Sequence, residues 1–204
     1  MLKIPELSVV LPALQITVNA VGGTDAQTDH MLSLGTLPLL RGFLSHADSN
    51  IVREACWAIS NVAAGTPVQR RALMDQNIMP SVVNVAESGE HQGRIEACYV
   101  IANMFQSKDP ELVLYTADIG GLKGLIQNMN MVEERGPLTV FLKGVHDALR
   151  VGDNHDRSYD DEIEEMSHGI GRIEQMAEYH DNGVVLEARK ILDEYFPEVS
   201  DDED

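Results

Sequence analysis

Residues 52–65, VREACWAISNVAAG, return at 94–107 as RIEACYVIANMFQS. Both copies carry Glu-Ala-Cys, then an aromatic residue, then asparagine four residues further on. Trp57 and Tyr99 are 42 residues apart, as are Asn61 and Asn103, and Asn19 precedes Asn61 by the same interval. A second marker keeps step. SLGTLPLL holds Pro38, QNIMPSVV holds Pro80 42 residues later, and IGGLKGLI holds Lys123 after 43 more. HGIGRIEQM, with Arg172, follows after 49. Self-similarity at such a period marks a solenoid, in which each unit buries its apolar face against its neighbours.

The units read as helices, because apolar residues recur at spacings of three and four rather than two. In the first full unit the pieces fall near 26–34, 37–45 and 50–63, broken at Gly35 and at the His46–Asn50 turn. Segments near 137–149 and 184–196 supply third helices further on. Three helices in 42 residues is the armadillo pattern. The expected fold is therefore all-α: an armadillo-repeat, right-handed superhelical solenoid of about four repeats plus a leading helix. A partial repeat occupies 1–23, its 7–21 piece being a third helix, and full repeats follow at 24–65, 66–107, 108–150 and 166–197. Residues 151–165, which include the acidic run GDNHDRSYDDEIEE, read as a loop insertion that lengthens the last interval, and 198–204 as an acidic disordered tail. Pro5, Glu6 and Pro12 interrupt the apolar N-terminal stretch, so it reads as solenoid rather than secretion signal. Val9, Val10, Ala13 and Leu14 are then expected to be left bare at the first helix and to favour dimerisation.

Composition narrows the function. Fifteen Lys plus Arg against 33 Asp plus Glu gives a net charge of −18, which argues against nucleic acid, since gripping phosphates needs a basic patch. It favours basic partners. No apolar run approaches the roughly 18 to 20 residues of a membrane span, and the chain reads as intracellular. Cys56 and Cys98 are too few for a disulfide framework or a structural zinc site. The seven histidines are scattered, with no H-E-x-x-H pair. In the acidic run from Asp153, Ser158 stands where a calcium loop needs glycine. GGLKG at 120–124 lacks phosphate-loop spacing, and there is no G-x-S-x-G elbow. The expectation is a binding protein, not an enzyme, with no cofactor and no metal.

The third helix of each unit carries the candidate site. Val52, Ala55, Ile59 and Val62 fall on one side of a helical wheel; Glu54, Trp57 and Asn61 fall on the other, within about 60° of each other. The next unit repeats this, with Ala97, Ile101 and Met104 opposite Glu96, Tyr99 and Asn103. Stacking would set these helices about 8 to 10 Å apart, placing Trp57 and Tyr99 in one ladder and Asn19, Asn61 and Asn103 in another. Asparagine can donate to and accept from a peptide backbone at once. Aromatic faces make slots for the stem of a lysine or arginine, with a cation–π attraction of roughly 0.5 to 2 kcal/mol. Glu54, Glu96 and Asp25 would meet the cationic ends. Rungs at that spacing match two to three residues of extended chain at about 3.3 Å each.

On this WxxxN pattern, with GGTDAQT at 22–28 and LEARKILDEYFPEVSDDED at 186–204, the chain resembles the importin α (karyopherin α) family, in its C-terminal armadillo repeats only. The resemblance covers almost everything except 152–165. It implies a nuclear import adaptor-like module whose minor-site groove takes basic nuclear localisation signals, carried by Trp57, Asn61, Tyr99 and Asn103. It further implies contacts at Val21, Gly23, Asp25 and Thr28, and at Glu54, Ser60 and Glu96, with residence in cytoplasm and nucleus. The last unit and its acidic end resemble the region that engages the nuclear export receptor and some nucleoporins. An armadillo scaffold that works through those C-terminal repeats without binding signal peptides is the alternative. The sequence departs from the family at several places. Tyr99 stands where tryptophan is usual, Gln15 and Lys143 hold the aromatic position in the flanking units, and Asp147 replaces asparagine. The chain shows no repeats for a major signal site and no basic importin β-binding segment, so a complete adaptor is not expected.

Overall fold

The computed structural model describes residues 7–132 and 135–200. A leading helix, α1 (Leu7–Val21), is followed by four units of three helices each. The first holds α2 (Asp25–Ser33), α3 (Thr36–Phe43) and α4 (Ser49–Ala64). The second holds α5 (Pro67–Asp75), α6 (Met79–Ser88) and α7 (His91–Phe105). The third holds α8 (Pro110–Asp118), α9 (Gly121–Asn128), a 3-10 turn over Met129–Met131 and α10 (Arg135–Asp153). The fourth holds α11 (Tyr159–Glu165), α12 (Gly169–Ala177) and α13 (Asn182–Tyr195), and a short α14 (Pro197–Ser200) follows. This is the expected all-α, right-handed armadillo solenoid.

The corner between first and second helices explains the second sequence marker. Gly35, Asn77, Gly120 and His168 all have positive φ there, at 76°, 53°, 93° and 61°. Glycine and asparagine tolerate that region best, and histidine is among the residues enriched in it. Helix starts repeat as well. Thr24 with Gln27 and Thr66 with Gln69 form capping boxes 42 residues apart, while Asp48, Asp109 and Asp181 cap α4, α8 and α13 through their side chains.

Third helices form one continuous row: α1 packs on α4, α4 on α7, α7 on α10 and α10 on α13. The row is filled by side chains shut off from water, including Leu14, Ile59, Ile101, Met104, Phe105 and Phe141. First helices of successive units barely meet, so the stack curves with the third helices inside. Polar groups tie each unit to the next. Gln69 Nε2 donates to the Asp25 carbonyl and to Asp29, Asn128 Nδ2 donates to the Ala86 carbonyl at 2.9 Å, and Arg71 pairs with Asp109 and Glu111.

Three expectations need correction. Residues 151–165 are not a loop insertion: 151–153 finish α10, and 159–165 form α11, the first helix of the fourth unit. Tyr159 and Ile163, one turn apart, are 6% and 0% exposed and pin that helix to the core despite its charge; the Tyr159 hydroxyl also donates to Asp118. The longer interval arises in part because α10 has 19 residues where α7 has 15. Second, Val10, Ala13 and Leu14 are buried within the chain and Val9 is half-buried, because that side of α1 faces α4. The dimer they were expected to drive loses its surface. Third, the tail does not begin at 198, since α14 runs to Ser200; residues 201–204, like 1–6, lie outside the described residues.

Candidate functional site

α4 and α7 present the repeated stripe side by side. Trp57 is 45% exposed, an unusual state for the chain's only tryptophan. It stands out because its helix neighbours Ala58, Ile59 and Ala55 take all the burial. Tyr99 is half-buried, and its ring meets Phe141 of α10 edge to face at 5.3 Å and 74°. Sequence reading missed Phe141. It is an ordinary apolar position on α10, and only stacking of the third unit brings it beneath Tyr99.

The asparagines are anchored across repeats. Asn61 Nδ2 donates to the Val18 carbonyl in the last turn of α1, at 3.2 Å, and Asn103 Nδ2 donates to the Ser60 carbonyl near the end of α4, also at 3.2 Å. Each adds a second hydrogen bond to a carbonyl in the C-terminal part of the preceding third helix. An amide group has two donors and two acceptor lone pairs, so this bond fixes the side chain and leaves capacity for a ligand. Gly22 makes room for it: a Cβ there would lie 2.8 Å from Asn61 Nδ2. Asn19 is exposed on α1.

Beside Asn61, a recess of about 220 Å³ is lined in part by Val21, Gly23, Asp25, Thr28, Asn61 and Gln69. It brings together most of the residues singled out on the first rung. Their exposures differ. Asp25 and Gly23 are open to solvent, whereas Val21 and Thr28 are 2% and 3% exposed. The Thr28 hydroxyl donates to the Val21 carbonyl at 2.8 Å, which sets the shape of the floor. Ser60 is likewise buried, its hydroxyl donating to the Trp57 carbonyl at 2.8 Å.

The two glutamates divide. On a helical wheel Glu54 falls on the polar side, yet it is 1% exposed, because α7 packs over it. Its Oε1 takes Arg53 Nη2 at 2.7 Å, while Oε2 and Arg53 Nε have no hydrogen-bond partner among the described residues. Glu54 is therefore an internally compensated charge. Glu96, half-buried, is the acid of the pair that faces outward. Burial pushes its carboxyl up to about 7, and nearby Glu54 adds to the shift while Arg53 opposes it. Arg53 was not anticipated from sequence, where it is one more charge on a helix.

Among the described residues, no group of three or more His, Cys, Asp or Glu side chains is placed to hold a metal ion. No helix among the described residues is long and apolar enough to cross a membrane.

Comparison with known proteins agrees with this fold. The armadillo/beta-catenin-like repeat family matches residues 24–64. Importin subunit alpha-1a of Oryza sativa subsp. japonica is 30% identical over 205 residues, covering 97% of this chain and 39% of the relative. The chain is an armadillo-repeat solenoid similar to importin α subunits. Importin subunit alpha-1b of the same plant is 31% identical, covering 97% of the chain and 38% of the relative, and importin subunit alpha-8 of Arabidopsis thaliana is 29% identical over 94% and 44%. The chain spans about two fifths of the length of these curated relatives. Among solved structures, computationally designed armadillo repeat proteins for modular peptide recognition superpose with a TM-score of 0.81 at 19% identity, covering 94% of this chain and 78% of theirs. A designed armadillo repeat protein in complex with the peptide (KR)4 superposes at 0.72 and 18% identity, covering 92% and 75%. At that identity the likeness concerns the fold.

Proposed function

We propose that the groove along α4 and α7 binds extended basic peptides of the nuclear localisation signal class, as the minor-site half of an import adaptor working in cytoplasm and nucleus. The observation that carries this reading is an exposed Trp57 one turn from an asparagine already fixed by an inter-repeat hydrogen bond. A peptide backbone runs along Asn61 and Asn103, a lysine or arginine stem lies between Trp57 and Tyr99, and its charged end meets Glu96. Asp25 serves the same purpose at the Gly23–Thr28 recess. The likeness to importin α relatives supports the choice of ligand.

The test is a fluorescence titration, since Trp57 is the only indole. A lysine-rich peptide is expected to give a saturable change that weakens with salt and is absent with an all-alanine peptide. A silent Trp57 in folded protein at low salt would remove the groove reading.

A pH dependence follows from Glu96. Its carboxyl ionises near 7 in the empty groove, and a peptide cation needs the ionised form. Affinity is therefore expected to fall between pH 8 and pH 6, by at most about tenfold. Glu96→Gln should flatten the profile, which binding isotherms at the two pH values check. Stability moves as well. The folded carboxyl holds its proton to higher pH than the unfolded one, so its contribution to stability is present below the unfolded pKa and is lost as pH rises through about 7.

A further inference from the structure

We infer that the groove continues past Tyr99 as a receptor for an acidic residue of the same peptide, read by Lys143; this rests on the groove reading above. Trp57, Tyr99 and Lys190 each stand nine residues after the N-cap of their third helix, at Asp48, Glu90 and Asp181. Lys143 holds the same position on α10. Phe141 packs on Tyr99, and Gly144 lets α10 press against α7, since a Cβ there would lie 3.0 Å from Ala102 Cα. The ladder of aromatics thus passes directly into a lysine.

The acids on these later rungs are occupied. Asp147, at the asparagine position, pairs with Arg150 at 2.7 Å. Glu194, at the same position on α13, pairs with His146 at 3.0 Å, and Glu187 pairs with Lys190 at 3.2 Å. Lys143 is exposed and has no hydrogen bond or ion pair among the described residues. In a chain of net charge −18, the aromatic half of the groove is thus followed by an uncommitted cation. An ammonium group there repels a further peptide lysine and attracts a carboxylate. One rung of about 8 to 10 Å is two to three extended residues. The acidic residue then falls about four to six positions from the lysine held at Trp57, on the Tyr99 side.

Three peptides test this. They share one lysine cluster and carry glutamate, alanine or lysine four to six positions further on. Titrations at low salt are expected to rank glutamate above alanine above lysine in the wild-type chain. Each step should be about two- to fivefold, the range of an exposed ion pair. Lys143→Glu, a change at an exposed position, should reverse the order. If the three peptides bind equally, or if Lys143→Glu keeps the wild-type order, the inference fails while the groove stands. If none of them perturbs Trp57, the groove reading fails and the inference with it.

Discussion

The paired change Trp57→Ala and Asn61→Ala is expected to weaken binding of a lysine-rich peptide about ten- to a hundredfold at low salt. Loss of the cation–π slot removes about 0.5 to 2 kcal/mol, and loss of hydrogen bonds to the peptide backbone removes about 1 kcal/mol more. Together that is roughly 1.5 to 3 kcal/mol, or one to two decades at 1.4 kcal/mol per decade. Because the variant lacks the indole, polarisation of a labelled peptide is the measurement. Asn61→Ala also removes the hydrogen bond that ties α4 to the Val18 carbonyl of α1, so stability should drop by about 1 kcal/mol, which a denaturant titration separates from the binding loss. A folded double variant that keeps its affinity within threefold would show that the peptide goes elsewhere.

Phe141→Ala is expected to be the most damaging single change in the groove's support, at about 3 to 5 kcal/mol of stability. Phe141 is 0% exposed and sits in the third-helix row between α7 and α10. Its ring holds Tyr99 in an edge-to-face contact, worth about 0.5 to 1.5 kcal/mol beyond burial. A solenoid distributes such a loss locally, since each repeat touches only its neighbours. Hydrogen exchange should therefore show lost protection across α10 and α13, with α1 to α6 less affected. Peptide affinity should also fall, as the Tyr99 wall is no longer fixed. A loss below about 1 kcal/mol would mean that the α7–α10 joint is held by other contacts. Phe141→Leu, which keeps most of the volume, should cost far less.

The repeat and the register of Trp57, Tyr99, Asn61 and Asn103 were legible in the sequence, because they depend on local rules repeated at a fixed interval. Helical spacing, left-handed corners at Gly35, Asn77 and Gly120, and the aromatic-to-asparagine step are properties of short segments. Where those signals weaken, the reading strayed. The acidic run hid α11, since only Tyr159 and Ile163 mark its buried side and seven residues are too few to show a period.

Contact between repeats decided the rest. A helical wheel puts Glu54 beside Trp57, but the wheel has no neighbour on it, and α7 covers the carboxylate and leaves Arg53 to compensate it. The same absence of neighbours made Val10 and Leu14 look bare, though α4 buries them. By itself the sequence determined which residues share a helix face and which rungs repeat. Only the tertiary structure decided which of those faces meets another helix and which meets water. Burial, and with it the charge state of Glu96, depends on atoms 40 or more residues away along the chain.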